Sequence, residues 1–193
     1  LLAAMFVLMT VGLLYTTPSI NAFLVNIQAV LVPFICWGVF RQKPTRNHFI
    51  AAAMTLVGVC CLSLTADFHI DFGAALTLLA ALAFSMQMAF LGNLTEGCDS
   101  IHIAITENIS MLVMMMVVLN FTGWDMPAMT LPSLGNFFFL GAFCTAAYFA
   151  LQSAGQQITS PNKAAIIITS ESIFAAIFSA LLYGERMSMR GYV

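Results

Sequence analysis

Long apolar runs with almost no charge fill this chain and restrict what it can fold into. Residues 166–182, for example, carry a single charged side chain, Glu171. Charged residues make up only 7% of the 193 residues, against roughly 25% in soluble domains. In lipid, a chain satisfies its backbone N–H and C=O groups within helices or closed barrels, and runs of about 20 apolar residues have the length of membrane helices. The sequence therefore predicts an all-α fold, a polytopic membrane helix bundle.

Proline, glycine, asparagine and charged residues divide the chain into about seven spans. An eighth span begins near Met189, and we expect the chain to be an internal piece of a longer protein. The connections are short, which favours a compact bundle of antiparallel neighbours. The predicted spans are 1–16, 19–40, 48–66, 72–94, 101–121, 133–156 and 161–184.

The basic residues predict the orientation of the bundle. The loop "RQKPTR", residues 41–46, holds three of the six Lys and Arg residues. Cytoplasmic loops are enriched in Lys and Arg, so this loop is predicted to be cytoplasmic. Alternating spans place Lys163 on the same side, with Arg186 and Arg190 on the other. The predicted location is the cell membrane, with a bacterial inner membrane favoured.

Several function classes have no support in the sequence. Six basic residues are too few for a phosphate-tracking patch, so no nucleic-acid partner is expected. The five cysteines show no CxxC or Cys/His spacing, so no metal or haem site is predicted. A glycine-rich phosphate loop is also missing, which argues against direct use of ATP. We expect no cofactor, and a small solute and membrane lipid as the partners.

Two segments of the chain form an internal repeat. Residues 16–47 align without gaps on residues 159–190, and this alignment pairs Pro18 with Pro161 and Gln28 with Glu171. The two segments contain the second and seventh spans. These spans are five apart, and an odd offset makes the second copy cross the membrane in the opposite direction. The pattern predicts an inverted-topology repeat, the usual plan of secondary transporters.

The same two regions resemble a known family. The stretches "GLLYTTPSINAFLVNIQAVLVPF" (12–34) and "SPNKAAIIITSESIFAAIFSALLYGERMSMRGYV" (160–193) are similar to EamA-type members of the drug/metabolite transporter superfamily. The resemblance implies ten helices in two inverted five-helix repeats, with about seven of those helices here. Residues 1–66 would then be the last three helices of the first repeat. Residues 67–193 would be four helices of the second repeat and the start of a fifth.

The repeat and the resemblance together predict a secondary transporter and not an enzyme. Such a protein moves small metabolites or drugs, with amino acids among the candidates, by alternating access. Export is the favoured direction, and protons are a candidate coupling ion. Two alternatives stay open at this point: a non-transporting membrane subunit, and an intramembrane enzyme built on Glu107 and Glu171.

Glu171 is the principal candidate site residue. It lies about ten residues into its span, roughly 15 Å along a helix and so near the middle of the bilayer. An acid at this depth costs on the order of 3 kcal/mol, so it should face the bundle interior or a water-filled cavity. We predict that Glu171 binds solute or a proton. The alternative is a carboxyl group that only joins two helices through a hydrogen bond.

Other polar residues inside the spans complete the predicted solute site. Gln28 matches Glu171 in the repeat, Glu107 is a second intramembrane acid, and Tyr148 and Gln152 share one helix face. The alternative role is an interhelical hydrogen bond for Gln28, a snorkelling residue near the membrane interface for Glu107, and packing with one hydrogen bond for Tyr148. With Glu171, the candidate solute-binding residues are Gln28, Asn26, Thr169, Ser170, Glu107, Tyr148 and Gln152.

Overall fold

The computed structural model describes residues 1–16, 18–46, 48–50, 52–54, 57, 72–95, 97–122, 130–171 and 174. Within these residues the regular secondary structure is helical, which confirms the predicted all-α bundle. The helices are α1 (Leu2–Leu13), α2 (Pro18–Val25), α3 (Gln28–Phe40), α4 (Phe72–Leu94), α5 (Ser100–Thr122), α6 (Leu131–Ile158) and α7 (Pro161–Thr169).

Three of the described helices are long and apolar enough to cross a membrane: α4, α5 and α6. α4 has 23 residues, and at 1.5 Å per residue such a helix measures about 35 Å, enough for the hydrocarbon core. α1 and α3 are apolar but shorter. The chain is therefore a multi-pass membrane protein. Most of the predicted span 48–66 lies outside the described residues. The same is true of most of the predicted span 161–184 beyond Glu171.

The span predicted over residues 19–40 consists of two helices. α2 ends at Val25 and α3 begins at Gln28. The backbone between them makes hydrogen bonds to the residue three positions earlier, such as that from the Ala29 N–H to the Asn26 carbonyl at 3.0 Å. Pro33 lies inside α3. Since proline has no N–H and its ring opposes the carbonyl four residues earlier, it weakens the first turns of α3. Apolar residues continue through the break, so the hydropathy pattern does not reveal it.

A π-helical segment, Leu140–Ala147, interrupts α6. Within it the Thr145 hydroxyl donates to the Leu140 carbonyl, five residues earlier, at 3.0 Å. The wider turn shifts the register between the two α-helical halves of α6, and segments of this kind are frequent at functional sites. Here it sets which residues of α6 face α7.

α4 is the central helix and packs against α1, α2, α3, α6 and α7. Small side chains on its buried face, such as Ala80 and Ala81, allow neighbouring helices to approach closely. Larger residues from several helices fill the remaining space, including Met88 of α4, Val32 of α3 and Phe149 of α6. The core of the bundle therefore surrounds α4.

Contacts between helix ends define the direction of each helix. Gly12 near the end of α1 meets Gly73 at the start of α4. At the opposite end of α4, the Gln42 side chain after α3 donates to Asn93 at 2.6 Å, and Gly92 lies against Pro161 at the start of α7. α3 thus ends where α7 begins, and the two helices run in opposite directions. We call this end of the bundle the basic end, because the loop 41–46 and Lys163 lie there.

We expect Gly73→Ala to destabilise the bundle by about 1–3 kcal/mol, because overpacked interfaces cost this much. A Cβ at Gly73 would lie 2.7 Å from the Gly12 carbonyl oxygen and 2.9 Å from the Thr16 nitrogen, both backbone atoms that no rotamer change can move. The control is Gly135→Ala in α6, where nothing lies within 4 Å, and which should stabilise by about 0.5–1 kcal/mol through helix propensity. Denaturant titration in micelles measures both, and effects of the same sign would contradict the α1–α4 contact.

Candidate solute groove and interior acid site

A groove of about 480 Å³ runs between α6 and α7, and we call it the lateral groove. Its walls are mainly aliphatic and aromatic, with Phe143 and Leu151 from α6 and Ile167 from α7. Among the described residues that line it, the oxygen-bearing side chains are Tyr148, Ser170 and Glu171. Three of the predicted site residues therefore meet in one place.

The groove residues are positioned by the two helices that form it. Tyr148 follows the π-helical segment directly, and its ring meets the Phe149 ring edge-on at 5.0 Å. Phe149 is buried and also contacts Phe6 of α1 at 6.0 Å between ring centroids. This aromatic contact fixes the direction of Tyr148. Glu171 stands just beyond the last residue of α7, is exposed, and forms part of the groove wall.

The hydroxyl groups beside Glu171 are engaged with their own helix. Thr169 donates to the Ile166 carbonyl and Ser170 to the Ile167 carbonyl, both at 2.6 Å. Their protons are used in these bonds, although each oxygen can still accept. The carboxyl group of Glu171 and the phenol of Tyr148 are therefore the groove's main groups for binding a polar solute.

Glu107 occupies a separate site inside the bundle, where α4, α5 and α6 meet. The Gln87 side-chain N–H donates to one carboxyl oxygen of Glu107 at 2.6 Å. The Ser153 hydroxyl donates to the other oxygen at 3.3 Å. Gln87 and Ser153 are buried and Glu107 is half-buried. We call these three residues the interior acid site.

The other predicted site residues lie away from the lateral groove. Gln28 is 1% exposed, and its side-chain oxygen has no hydrogen-bond partner among the described residues. Gln152 is buried, and in the described structure both its amide nitrogen and its amide oxygen lack partners. Asn26 is half-buried in the turn between α2 and α3. Their role in solute binding stays a prediction.

Sequence reasoning did not single out Gln87, Ser153 or Gln156 as site residues. Each is a polar residue in an otherwise apolar helix, and this is the signal that the sequence offers. Their partners depend on how three helices are rotated about their axes, which hydropathy does not specify. Within the described part of the chain, no group of three or more His, Cys, Asp or Glu residues is placed to hold a metal ion.

A second groove, of about 420 Å³, lies between α5 and α6 and is called the alanine groove here. Its α6 wall consists of Ala146, Ala150 and Ala154. None of the described residues that line it is titratable. The same helix, α6, therefore carries alanines that face two chemically different grooves.

The described helices form the bundle of a multi-pass membrane protein, with one acid in a lateral groove and another in the interior. The EamA-like transporter family matches residues 71–193, and the chain belongs to this family. The family predicted from the sequence is thereby confirmed.

One relative gives a similar picture. An uncharacterized transporter of Archaeoglobus fulgidus is 27% identical over 176 residues, which are 91% of this chain and 56% of the relative. The chain thus spans just over half the length of that relative. No solved structure matches the chain. Both matches are with proteins described as transporters and not as enzymes.

Proposed function

We propose that the full-length protein is a secondary transporter that moves small organic solutes by alternating access. Metabolites and drugs are the candidate solutes, amino acids and other amines among them. A bacterial inner membrane is the proposed location, and export is the proposed direction. The observation that carries the proposal is the Glu171 carboxyl group beside Tyr148 in a groove whose walls are mainly apolar.

The chemistry of the lateral groove suits an amine with an apolar body. A carboxyl group at the predicted mid-membrane depth of Glu171 is costly in contact with lipid. The groove is therefore expected to hold water or to be covered by protein. An ammonium group would pair with Glu171, while Phe143 and Leu151 contact the rest of the solute. The volume of about 480 Å³ is in the range of small-molecule sites, roughly 300–1,000 Å³.

The directions of the helices support the inverted repeat. α3 is part of the first repeated segment and α7 is part of the second, where it matches α2. α3 and α7 run in opposite directions, as an inverted repeat requires. The loop 41–46 and Lys163 share the basic end, and the positive-inside rule makes this end cytoplasmic. The division of the chain after residue 66 stays a prediction.

The break between α2 and α3 also supports a transporter. It lies about nine residues after Pro18, roughly 13 Å along the helix. Discontinuous helices near the middle of the membrane mark solute or ion sites in many transporters, because the broken ends expose backbone groups. Asn26 and the buried Gln28 lie at this break.

The two intramembrane acids belong to different sites, which weighs against an enzyme that pairs them. Glu107 is bonded to Gln87 and Ser153 in the interior, whereas Glu171 forms part of the lateral groove. A pair of acid and base groups would have to meet at one reacting atom.

Filling the lateral groove tests the proposal. Ala147 of α6 lines the lateral groove. We expect Ala147→Leu in the full-length protein to lower solute flux about tenfold, since the leucine side chain takes the place of part of the solute and the lost apolar contact is worth about 1–2 kcal/mol. Ala150→Leu is the matched control, because Ala150 is three residues further along α6 and forms part of the alanine groove. Flux of labelled amines and amino acids into proteoliposomes measures both. Equal flux in the two variants would contradict a solute path through the lateral groove.

A further inference from the structure

Glu107 has no positively charged partner in the described structure. α4, which donates through Gln87, carries no titratable side chain, and neither does α1, which packs against α5. α6 carries only Cys144 and Tyr148, which form part of the lateral groove. The remaining titratable group on α5 is the exposed His102, which lies 3.3 Å from Asp99 near the start of the helix. Among the described residues, an ionised Glu107 is thus stabilised by two neutral donors alone.

Gln87 is bonded on one side only. Its amide N–H donates to Glu107, but its amide oxygen is buried and has no partner among the described residues. Gln87 as a whole is 5% exposed. A buried acceptor without a partner is costly and calls for an explanation. If the amide turns over, this oxygen faces Glu107, and a protonated Glu107 would then be its donor, because a carboxylic acid donates one hydrogen bond.

We propose that Glu107 and Gln87 form a proton-binding pair in which the Gln87 amide serves both states of the acid. When Glu107 is ionised, the Gln87 N–H donates to it, as observed. When an O–H bond forms on Glu107 with a proton taken from water, the amide turns over and its oxygen accepts that proton. On release the proton returns to water and the amide turns back. The pair rests on the proposed function for its role, since in a transporter it supplies the coupling proton.

Ser153 and Gln156 provide a route for the proton. Gln156 lies one turn beyond Ser153 on α6, and side chains in a helix lean toward its N-terminus, which brings the Gln156 amide toward Ser153. Gln156 is 4% exposed, and neither of its amide atoms has a partner in the described structure. Buried amides of this kind are usually satisfied by internal water. α6 reaches the basic end two residues later, where the Gln157 side chain donates to the Cys98 carbonyl.

Infrared difference spectroscopy of the full-length protein in lipid tests the pair through the C=O stretch of a protonated carboxyl group. We expect a band that appears and disappears reversibly with pH and is lost in Glu107→Gln. In Gln87→Leu the band should persist at higher frequency, because the acid has lost its acceptor. Thr106→Val is the control, since Thr106 is the neighbouring residue, is exposed, and donates to its own helix at His102. It should leave the band unchanged.

Two results would overturn the proton-binding pair. One is a titrating carboxyl spectrum that is identical in wild type and Glu107→Gln. The other is an unchanged band frequency in Gln87→Leu, provided that circular dichroism shows the variant to be folded. Solute flux separates the pair from the proposed function. Flux without the Glu107 band would retain the transporter and refute the pair, and the band without flux would support the pair and refute the transporter.

Discussion

Glu171→Gln in the full-length protein is expected to lower solute flux by about 10- to 100-fold, the effect of losing a charged hydrogen bond worth about 1.5–3 kcal/mol. Glutamine keeps the shape of the side chain and removes its charge. Glu171 is exposed in the lateral groove, so the substitution breaks no buried contact and the fold should persist. The loss should be greatest for solutes with an ammonium group, because a neutral amide cannot pair with their charge.

Asp99→Asn is the matched control for Glu171→Gln, since it is the same change from carboxylate to amide at an exposed position. Asp99 precedes α5, contacts His102 at 3.3 Å, and is not among the described residues that line the lateral groove. Counterflow of a labelled amine in proteoliposomes measures both variants at the same protein density. If Glu171→Gln transports amines as fast as Asp99→Asn, the lateral groove does not bind the solute through its acid.

The positions of the long helices could be predicted closely because short interruptions separate long apolar runs. The span predicted over 72–94 is α4, Phe72–Leu94, and the span over 101–121 is α5, Ser100–Thr122. In lipid a helix continues until polar residues reach the interface, so composition alone sets its limits. The same argument predicted an all-α bundle without any knowledge of how the helices pack.

The backbone irregularities and most of the site geometry could not be predicted in this way. Hydropathy is averaged over about 19 residues, whereas the break at Asn26 and Ile27 and the π-helical segment each change a few backbone bonds. The cost of an acid at the predicted mid-membrane depth makes Glu171 the principal candidate from sequence, and its role in solute binding stays a prediction. The contact of Gln87 with Glu107 depends on how α4 and α5 are rotated about their axes. The sequence of one span does not specify this rotation.

Asn21 shows how a single buried amide holds the bundle together. It is 1% exposed, and its side-chain N–H₂ group donates to the Met9 carbonyl and to the Thr77 hydroxyl oxygen, both at 3.1 Å. These two bonds join α2 to α1 and α4. The Thr77 hydroxyl proton is already donated to the Gly73 carbonyl at 2.9 Å. Asn21 is thus needed as a donor at a place where both neighbouring oxygens can only accept.

Asn21→Asp is therefore expected to destabilise the bundle by about 3–5 kcal/mol, the cost of an uncompensated buried charge. Aspartate has the same shape but places an oxygen where the Asn21 nitrogen faces two acceptors. Its protonated form can satisfy only one of them. Asn120→Asp is the control, because Asn120 is exposed and donates to its own helix at Met116, so it should cost less than about 1 kcal/mol. Denaturant titration followed by circular dichroism compares the two variants. Equal midpoints would mean that α1, α2 and α4 are held by apolar packing alone, since the donor at Asn21 would then be dispensable.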